Sequence, residues 1–523
     1  MRIARLRPWF VTICLTVVLF AGLAVATLPW LRPDRIGIGA LLALIIALVV
    51  GGRALWHRPP RAYLVVILAA LALLPATVIA RGFGRIDMLA ILFHTDFGME
   101  GATLVGLESE ILQGFISTFL ICLAIALLAS LWQLRRWSMV AAALGLFAIN
   151  PMVQFGMLAL ATPAVESDLA EHLASPRLIP AQATPDLILI YLEGLDRQFA
   201  DPAVWGDLYA PLTALANEGL NFTAVEQVAG TGWSLAGMVA TQCGVPVVPR
   251  GLTYRNNYDG LTTFMPAVTC LGDVLAAEGY QSAFVVGGDL DFGGIGTFYA
   301  THQIGDATGL EEHDALYPAE EIEAALIDWV LDDQMVFDTA RMKQAALLAQ
   351  DAPYGLIVET IGPHGKTGYL SRACSDDGKG VKSKDVPRVI ACTLADMTAF
   401  VADARAAHAA ARPGRELRFV IMSDHLSHNG HTPRVAPKYD RVNTVIFLGD
   451  GVGEVTKTGS MIDVFPTLMD WLGFAQRPVA AGLGRSLLDT GPTLLETRGR
   501  GLFNRMLVGD AALSAAIWAE PAP

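Results

Sequence analysis

Charge is scarce in this 523-residue sequence. Only 17% of its residues are Asp, Glu, Lys or Arg, against 53% hydrophobic, and the mean hydropathy is +0.45. A soluble domain usually carries about 25% charged residues, so an ordinary cytosolic enzyme does not fit. The scarcity is uneven. Up to Ala161 there are 12 basic and 6 acidic residues; beyond it there are 25 basic and 44 acidic ones, a net of −19. A basic surface is therefore missing from the polar part, which argues against nucleic acid as a partner. Repeats and low-complexity tracts are missing as well. The pairs Gly287-Gly288 and Gly293-Gly294 lack the spacing of a nucleotide-binding fingerprint. No Gly-x-Ser-x-Gly elbow is present, so lipase-type acyl chemistry has no support.

What the first third has instead is long apolar runs. A membrane-spanning helix needs about 20 mostly apolar residues. Five stretches meet or approach this: Trp9–Leu31, Ile36–Gly52, Ala62–Ala80, Ile111–Trp132 and Ser138–Ala161, the second being the shortest. Basic residues stay on the cytoplasmic side. Arg2, Arg5 and Arg7, then Arg53, Arg58 and Arg61, then Arg135 and Arg136 are mutually consistent as cytoplasmic if all five stretches span. The acidic loop Arg81–Glu110 then lies outside, and so does everything after the fifth span. Residues 1–162 are thus expected to be a membrane domain, 163–184 a juxtamembrane connector, and 185–523 a water-facing domain.

In that domain short apolar runs alternate with helical patterns. Asp186–Glu193, Ser282–Val286, Gly355–Thr360, Arg418–Ser423 and Thr444–Leu448 read as strands buried on both faces. Leu208–Glu218, Trp233–Cys243, Leu271–Glu278, Asp333–Leu348, Cys392–Ala411 and Ile462–Leu472 read as helices. The alternation predicts an α/β domain with a largely parallel sheet. Function in such sheets collects at the carboxyl ends of strands. Two strands end in hard ligands, one in Glu193 and the other in Asp424-His425. Two carboxylates and an imidazole make a partial shell for a divalent metal, although a lone strand-end carboxylate is more often a cap or half of a salt bridge. Thr231 sits in Gly230-Thr231-Gly232, before the helix that starts at Trp233. A threonine there usually caps. Beside a metal, its hydroxyl becomes a candidate nucleophile at an anion-binding helix end.

These segments resemble the alkaline-phosphatase/sulfatase superfamily. The resemblance is carried by Glu226–Pro246 (EQVAGTGWSLAGMVATQCGVP), Cys270-Leu271-Gly272-Asp273, Thr360–Cys374 (TIGPHGKTGYLSRAC), Ser423–Leu426 (SDHL), Asp463–Gly473 (DVFPTLMDWLG) and Gly482–Leu487 (GLGRSL). Within the superfamily they are most similar to a five-span membrane branch. That branch holds lipoteichoic acid synthases, phosphoethanolamine transferases and the phosphoglycerol transferases that decorate osmoregulated periplasmic glucans. The resemblance implies a sulfatase-like catalytic domain in the periplasm, anchored in the bacterial inner membrane. It implies Glu193, Thr231, Asp424 and His425 as metal ligands, Thr231 also as nucleophile, and His364 as a substrate-side histidine. The ion is Mn2+ by resemblance, with Mg2+ and Zn2+ compatible with the same donors.

The implied reaction moves phosphoglycerol from phosphatidylglycerol to a periplasmic glucan through a phosphoglycerol-threonine intermediate and releases diacylglycerol. Two rivals remain: phosphoethanolamine transfer to lipid A or another glycan, and a non-catalytic membrane-anchored binding protein. A histidine and a proline usual after His364 are replaced by Gly365 and Lys366. Arg372 is either an anion contact or a structural arginine, and Trp233 either stacks on a sugar or belongs to the core. His428 and His431 are either loop residues or further ligands. Glu359 is expected to be structural. The formylglycine sulfatases need Cys-x-Pro-x-Arg, and none of the six cysteines begins that pattern. Cys14 and Cys122 fall in expected spans. Cys243, Cys270, Cys374 and Cys392 allow three pairings, and an oxidising periplasm favours disulfides. Nearness in sequence favours Cys243–Cys270 and Cys374–Cys392.

Overall fold

A computed structural model describes residues 166–181, 183–248, 262–365, 367–427 and 441–519, with isolated positions 68, 71, 72, 74, 75, 90 and 112. The five expected spans therefore lie outside the described residues apart from those few positions. Among the described residues no helix is long and apolar enough to cross a membrane. The chain divides into two compact units, and the fold below belongs to the one formed chiefly by residues 164–428 and 434–523.

Its centre is an eight-stranded sheet. In chain order the strands are β1 (Asp186–Leu192), β2 (Leu220–Phe222), β3 (Gln281–Val286), β4 (Asp306–Thr308), β5 (Tyr354–Glu359), β6 (Leu417–Ser423), β7 (Val445–Leu448) and β8 (Gly453–Val455). They lie in the order β8-β2-β7-β6-β1-β5-β3-β4. From β6 to β4 every pairing is parallel; β7 runs antiparallel to both β6 and β2. Parallel strands are covered on both faces, and β1 is buried along its whole length. Its side chains alternate between two cores. Leu187, Leu189 and Tyr191 face one, and Ile188, Ile190 and Leu192 face the other.

The helices that matter here are α1 (Ala210–Ala216), α2 (Ser234–Cys243), α3 (Leu271–Ala277), α4 (Asp333–Leu348), α5 (Val386–Ala411), α6 (Val464–Leu472) and α7 (Arg500–Gly509). α2, α3, α6 and α7 close the first core; α1, α4 and α5 close the second. α5 starts six residues before the expected Cys392. Asp385 caps it by accepting from the Arg388 amide, and Pro387 sits in its first turn, where a missing N–H costs nothing.

Disulfides join Cys243 at the end of α2 to Cys270 at the start of α3, and Cys374 to Cys392 in α5. The connector is packed onto the domain: Leu169 is fully buried, and Ala174 and Leu178 pair with Gly482 and Ala475.

Candidate metal centre and phosphoryl site

β1, β5 and β6 are in register, so their carboxyl ends finish at one level. Tyr191 lies opposite both Glu359 and Met422, and Leu192 lies opposite Ser423. Glu193 and Asp424 follow immediately. The expected donors therefore meet: Glu193, Asp424 and His425 each offer one ligand atom, all within 4.8 Å of one another, and all three are buried.

Their orientation is over-determined. Asp424 Oδ1 accepts from the amides of Gly194 and His425, each at 2.8 Å. His425 Nδ1 donates to the Leu426 carbonyl at 2.9 Å. That bond leaves Nε2 facing Glu193 Oε1 at 3.3 Å and Asp424 Oδ2 at 3.2 Å. A histidine whose Nδ1 is tied to a carbonyl presents Nε2 to a metal in a fixed orientation. Burial alone would lower the His425 imidazole pKa, but the charges of Asp424 and Glu193 hold it up at about 10. Burial pushes the Asp424 carboxyl up, and the Glu193 charge pushes it further.

Glu359, expected to be structural, lies close enough for the charges of this centre to act on it. It closes β5 and is buried, and burial and then the charges of Asp424 and Glu193 push its pKa well up. Its Oε2 and the Oδ2 of Asp424 are buried without a hydrogen-bond partner. Such atoms are costly unless something else satisfies them. A donor set of carboxylates, an imidazole and a hydroxyl with orphaned oxygens fits a divalent cation.

The hydroxyl is not the expected one. Thr231 is fully buried, and its Oγ1 donates to the Val228 carbonyl at 3.0 Å and accepts from the Val228 amide at 3.1 Å. It is tied into its own turn. Ser234 instead donates from Oγ to Glu193 Oε2 at 3.2 Å. The helix starts later than the glycine pair implies. Trp233 is still extended (φ −147°, ψ 163°), so Ser234 is its first residue. There it joins a helix N-terminus that favours anions.

α2 is held over the sheet by its own small and polar residues. A Cβ on Gly237 would lie 1.8 Å from the Asp424 carbonyl oxygen, so only glycine permits this approach. Thr241 Oγ1 meets the Tyr191 hydroxyl at 2.7 Å. The turn before α2 is pinned from the C-terminal side, where Asn504 accepts from the Ala229 amide at 2.8 Å and Arg500 pairs with Glu226.

His364 is half-buried. Burial lowers its pKa, and the charges of Glu193 and His425 act on it. Two aromatic residues that the sequence reading missed frame it. Trp329 approaches edge-on at 5.7 Å, and Tyr369 stacks at 6.0 Å. The two remaining expected contacts are placed otherwise. Arg372 is committed to Asp338 at 3.3 Å and Asp332 at 3.9 Å, so it is an ion-paired structural arginine. Trp233 is 7% exposed and packs within the first core. His428 and His431 lie outside the described residues.

The domain is an α/β sheet fold with a buried carboxylate–imidazole cluster able to hold a divalent metal at its strand ends, and comparison with known proteins narrows this. The family model described as Sulfatase matches residues 185–474. The chain belongs to that family. Among curated relatives, "Phosphoglycerol transferase I" of Escherichia coli is 29% identical over 77% of this chain and 55% of its own length. The protein of the same name from Xanthomonas campestris pv. campestris is 28% identical over 86% of this chain and 64% of its own. The chain thus spans little more than half the length of the Escherichia coli relative. Among solved structures, the lipoteichoic acid synthase LtaP from Listeria monocytogenes is 14% identical, covering 61% of this chain and 80% of its own, at a TM-score of 0.44.

Proposed function

We propose that this chain is a membrane-anchored phosphotransferase. It takes phosphoglycerol from phosphatidylglycerol and passes it to a periplasmic glucan, using a divalent metal, most simply Mn2+, held by Glu193, Asp424, His425 and the Ser234 oxygen. The observation that carries this is the Ser234 hydroxyl, placed at the N-terminus of α2 and bonded to Glu193 among three buried carboxylates. The names of the curated relatives support the donor headgroup and the transfer reaction. The inner membrane, the periplasmic face and the glucan acceptor follow from the apolar runs and the resemblance.

A divalent ion in this donor set supplies positive charge for the phosphoryl oxygens and lowers the pKa of a neighbouring hydroxyl. The chain's own residues do the rest. Ser234 Oγ attacks phosphorus, forming a serine–phosphoglycerol ester as the bond to the diacylglycerol oxygen breaks. The serine proton ends on that departing oxygen. His364, which burial keeps neutral near pH 7, is the group beside the substrate able to carry it. In the second step a glucan hydroxyl attacks the same phosphorus and Ser234 leaves, regaining a proton. The backbone amides opening α2 face the developing charge. Trp329 beside His364 offers an aromatic surface for a sugar ring. Two displacements at one serine predict ping-pong kinetics.

The deciding experiment is mass spectrometry of the full chain after incubation with phosphatidylglycerol and Mn2+ without acceptor. A glycerophosphoryl increment on Ser234 supports the proposal. The same increment on Thr231 would reassign the nucleophile. An adduct formed only with phosphatidylethanolamine would move the chain to the phosphoethanolamine transferases. If neither lipid gives an adduct or diacylglycerol, the chain is non-catalytic and the proposal fails.

A further inference from the structure

α4 opens with two adjacent buried acids, and they do different work. Asp332 is the cap: its Oδ1 accepts from the Met335 amide at 2.9 Å. Its other oxygen accepts from the Arg372 amide at 2.8 Å. Asp333 comes next and is fully buried. A helix start is served by one capping carboxylate, and burying a second one is costly unless it is fully bonded. Its bonds do not go to its own helix. Oδ1 accepts from the amides of Ile361 at 2.7 Å and Gly362 at 3.1 Å, and Oδ2 accepts from the Thr393 hydroxyl at 2.6 Å. The two acids thus hold both ends of the segment 361–372. Between them lie His364 and the Tyr369 that stacks on it, and Tyr369 closes the loop by donating its amide to the Gly362 carbonyl at 2.7 Å. The fit leaves no slack. A Cβ on Gly362 would lie 2.2 Å from Thr393 Oγ1 and 2.4 Å from Asp333 Oδ2.

We infer that Asp333 is the positioning residue of the substrate-side loop: it grips the Ile361–Gly362 backbone and thereby sets where His364 meets the phosphoryl or glycerol group. The inference rests on the proposed reaction for its kinetic consequence, but not for the grip itself. Asp333 touches none of the metal donors, so its removal leaves the metal centre intact while the loop loosens.

The test uses the full chain in phosphatidylglycerol mixed micelles with Mn2+. Three variants are compared: Asp333→Ala, Asp333→Asn and Gly362→Ala. Asp333→Ala and Gly362→Ala should raise amide hydrogen exchange across residues 360–370 by about tenfold or more, as expected for a locally released segment. Diacylglycerol release should fall by about tenfold to a hundredfold, in kcat more than in KM, the scale of a small misplacement of a reacting group. Mn2+ affinity, measured by titration calorimetry, should stay within about twofold, as for independent sites. Asp333→Asn keeps an acceptor for both amides and should restore most of the turnover.

Wild-type exchange and turnover in Asp333→Ala would overturn the inference. So would a fall in Mn2+ affinity that tracks the fall in turnover, because Asp333 would then only support the domain as a whole. If the wild-type chain releases no diacylglycerol, the proposed function fails, and the exchange measurement still decides the grip.

Discussion

The two ends of β1 carry the same chemistry and treat it in opposite ways. At the amino end Asp186 is fully buried, and so are Glu193 and its neighbours just past the carboxyl end. Asp186 is answered by the chain itself. Arg412 reaches both its oxygens at 2.8 and 2.9 Å, His408 donates at 3.0 Å, and the Tyr354 amide donates at 2.9 Å. At the other end three carboxylates share one imidazole and one serine hydroxyl, and oxygens of Asp424 and Glu359 are left without a hydrogen bond. A buried charge must be paired. Asp186 has a full set of partners from the chain, whereas at the other end the carboxylates outnumber the one imidazole, which leaves room for a cation from solution. Strand-end position does not separate these cases. The inventory of partners does.

The comparison breaks if the carboxyl end is not where chemistry happens. Ser234→Ala should therefore have the largest effect. Diacylglycerol release should fall by at least about a thousandfold, the scale for loss of a nucleophile. The circular dichroism spectrum should not change. Residual transfer near the wild-type level would show that the hydroxyl beside Glu193 is not the attacking group.

The amino end should fail differently. Arg412→Ala removes the bidentate partner of Asp186 and leaves it buried with His408, the Tyr354 amide and the more distant Arg415 at 3.5 Å. Breaking a buried pair on one side costs about 3–5 kcal/mol, read as a lower midpoint in urea. Turnover per folded molecule should hold, because nothing at that end faces substrate. A variant of normal stability but impaired turnover would mean that the two ends are coupled.

Metal removal sharpens the contrast. A ligand at a hundred times its Kd stabilises a protein by about 2.7 kcal/mol, so saturating Mn2+ should raise the unfolding midpoint of the wild-type chain. In Asp424→Asn that gain should vanish, and in Arg412→Ala it should persist in full. An unchanged Mn2+ gain in Asp424→Asn would remove Asp424 from the metal centre.

Much of this site is legible in the sequence because its parts follow from strand ends. The runs that become β1, β3, β5, β6 and β7 are apolar through their middles, as strands covered on both faces must be. Glu193 and Asp424-His425 are simply the first polar residues after two of them. α4 is bounded as expected, at Asp333 and Leu348. What is not legible depends on contacts far along the chain. β2, β4 and β8 are three residues each and partly exposed, too short to stand out from loops; pairing with longer neighbours makes them strands. Glu359 reads as one more strand-end acid. Only the register that sets Tyr191 opposite it brings it to the cluster.

The placement of Thr231 is the instructive difference, and it leads to the smallest effect expected here. Gly230-Thr231-Gly232 looks like a turn feeding a helix, which puts the threonine at the helix end. Gly230 does turn the chain, at φ 77°. Thr231 then spends its hydroxyl on Val228 within that turn, Trp233 is extended, and the helix starts at Ser234. A helix start one residue later than expected puts the Ser234 hydroxyl, rather than that of Thr231, at the helix end. Thr231→Val keeps the shape and removes the hydroxyl, leaving the Val228 amide and carbonyl without that partner. Losing such a buried bond costs about 1–3 kcal/mol, so the unfolding midpoint should drop modestly. Transfer should stay within about tenfold of wild type, since the turn before α2 loosens while the attacking oxygen remains. Loss of transfer in Thr231→Val to the level of Ser234→Ala would return the chemistry to the threonine and make the hydrogen bond from Ser234 to Glu193 a structural one.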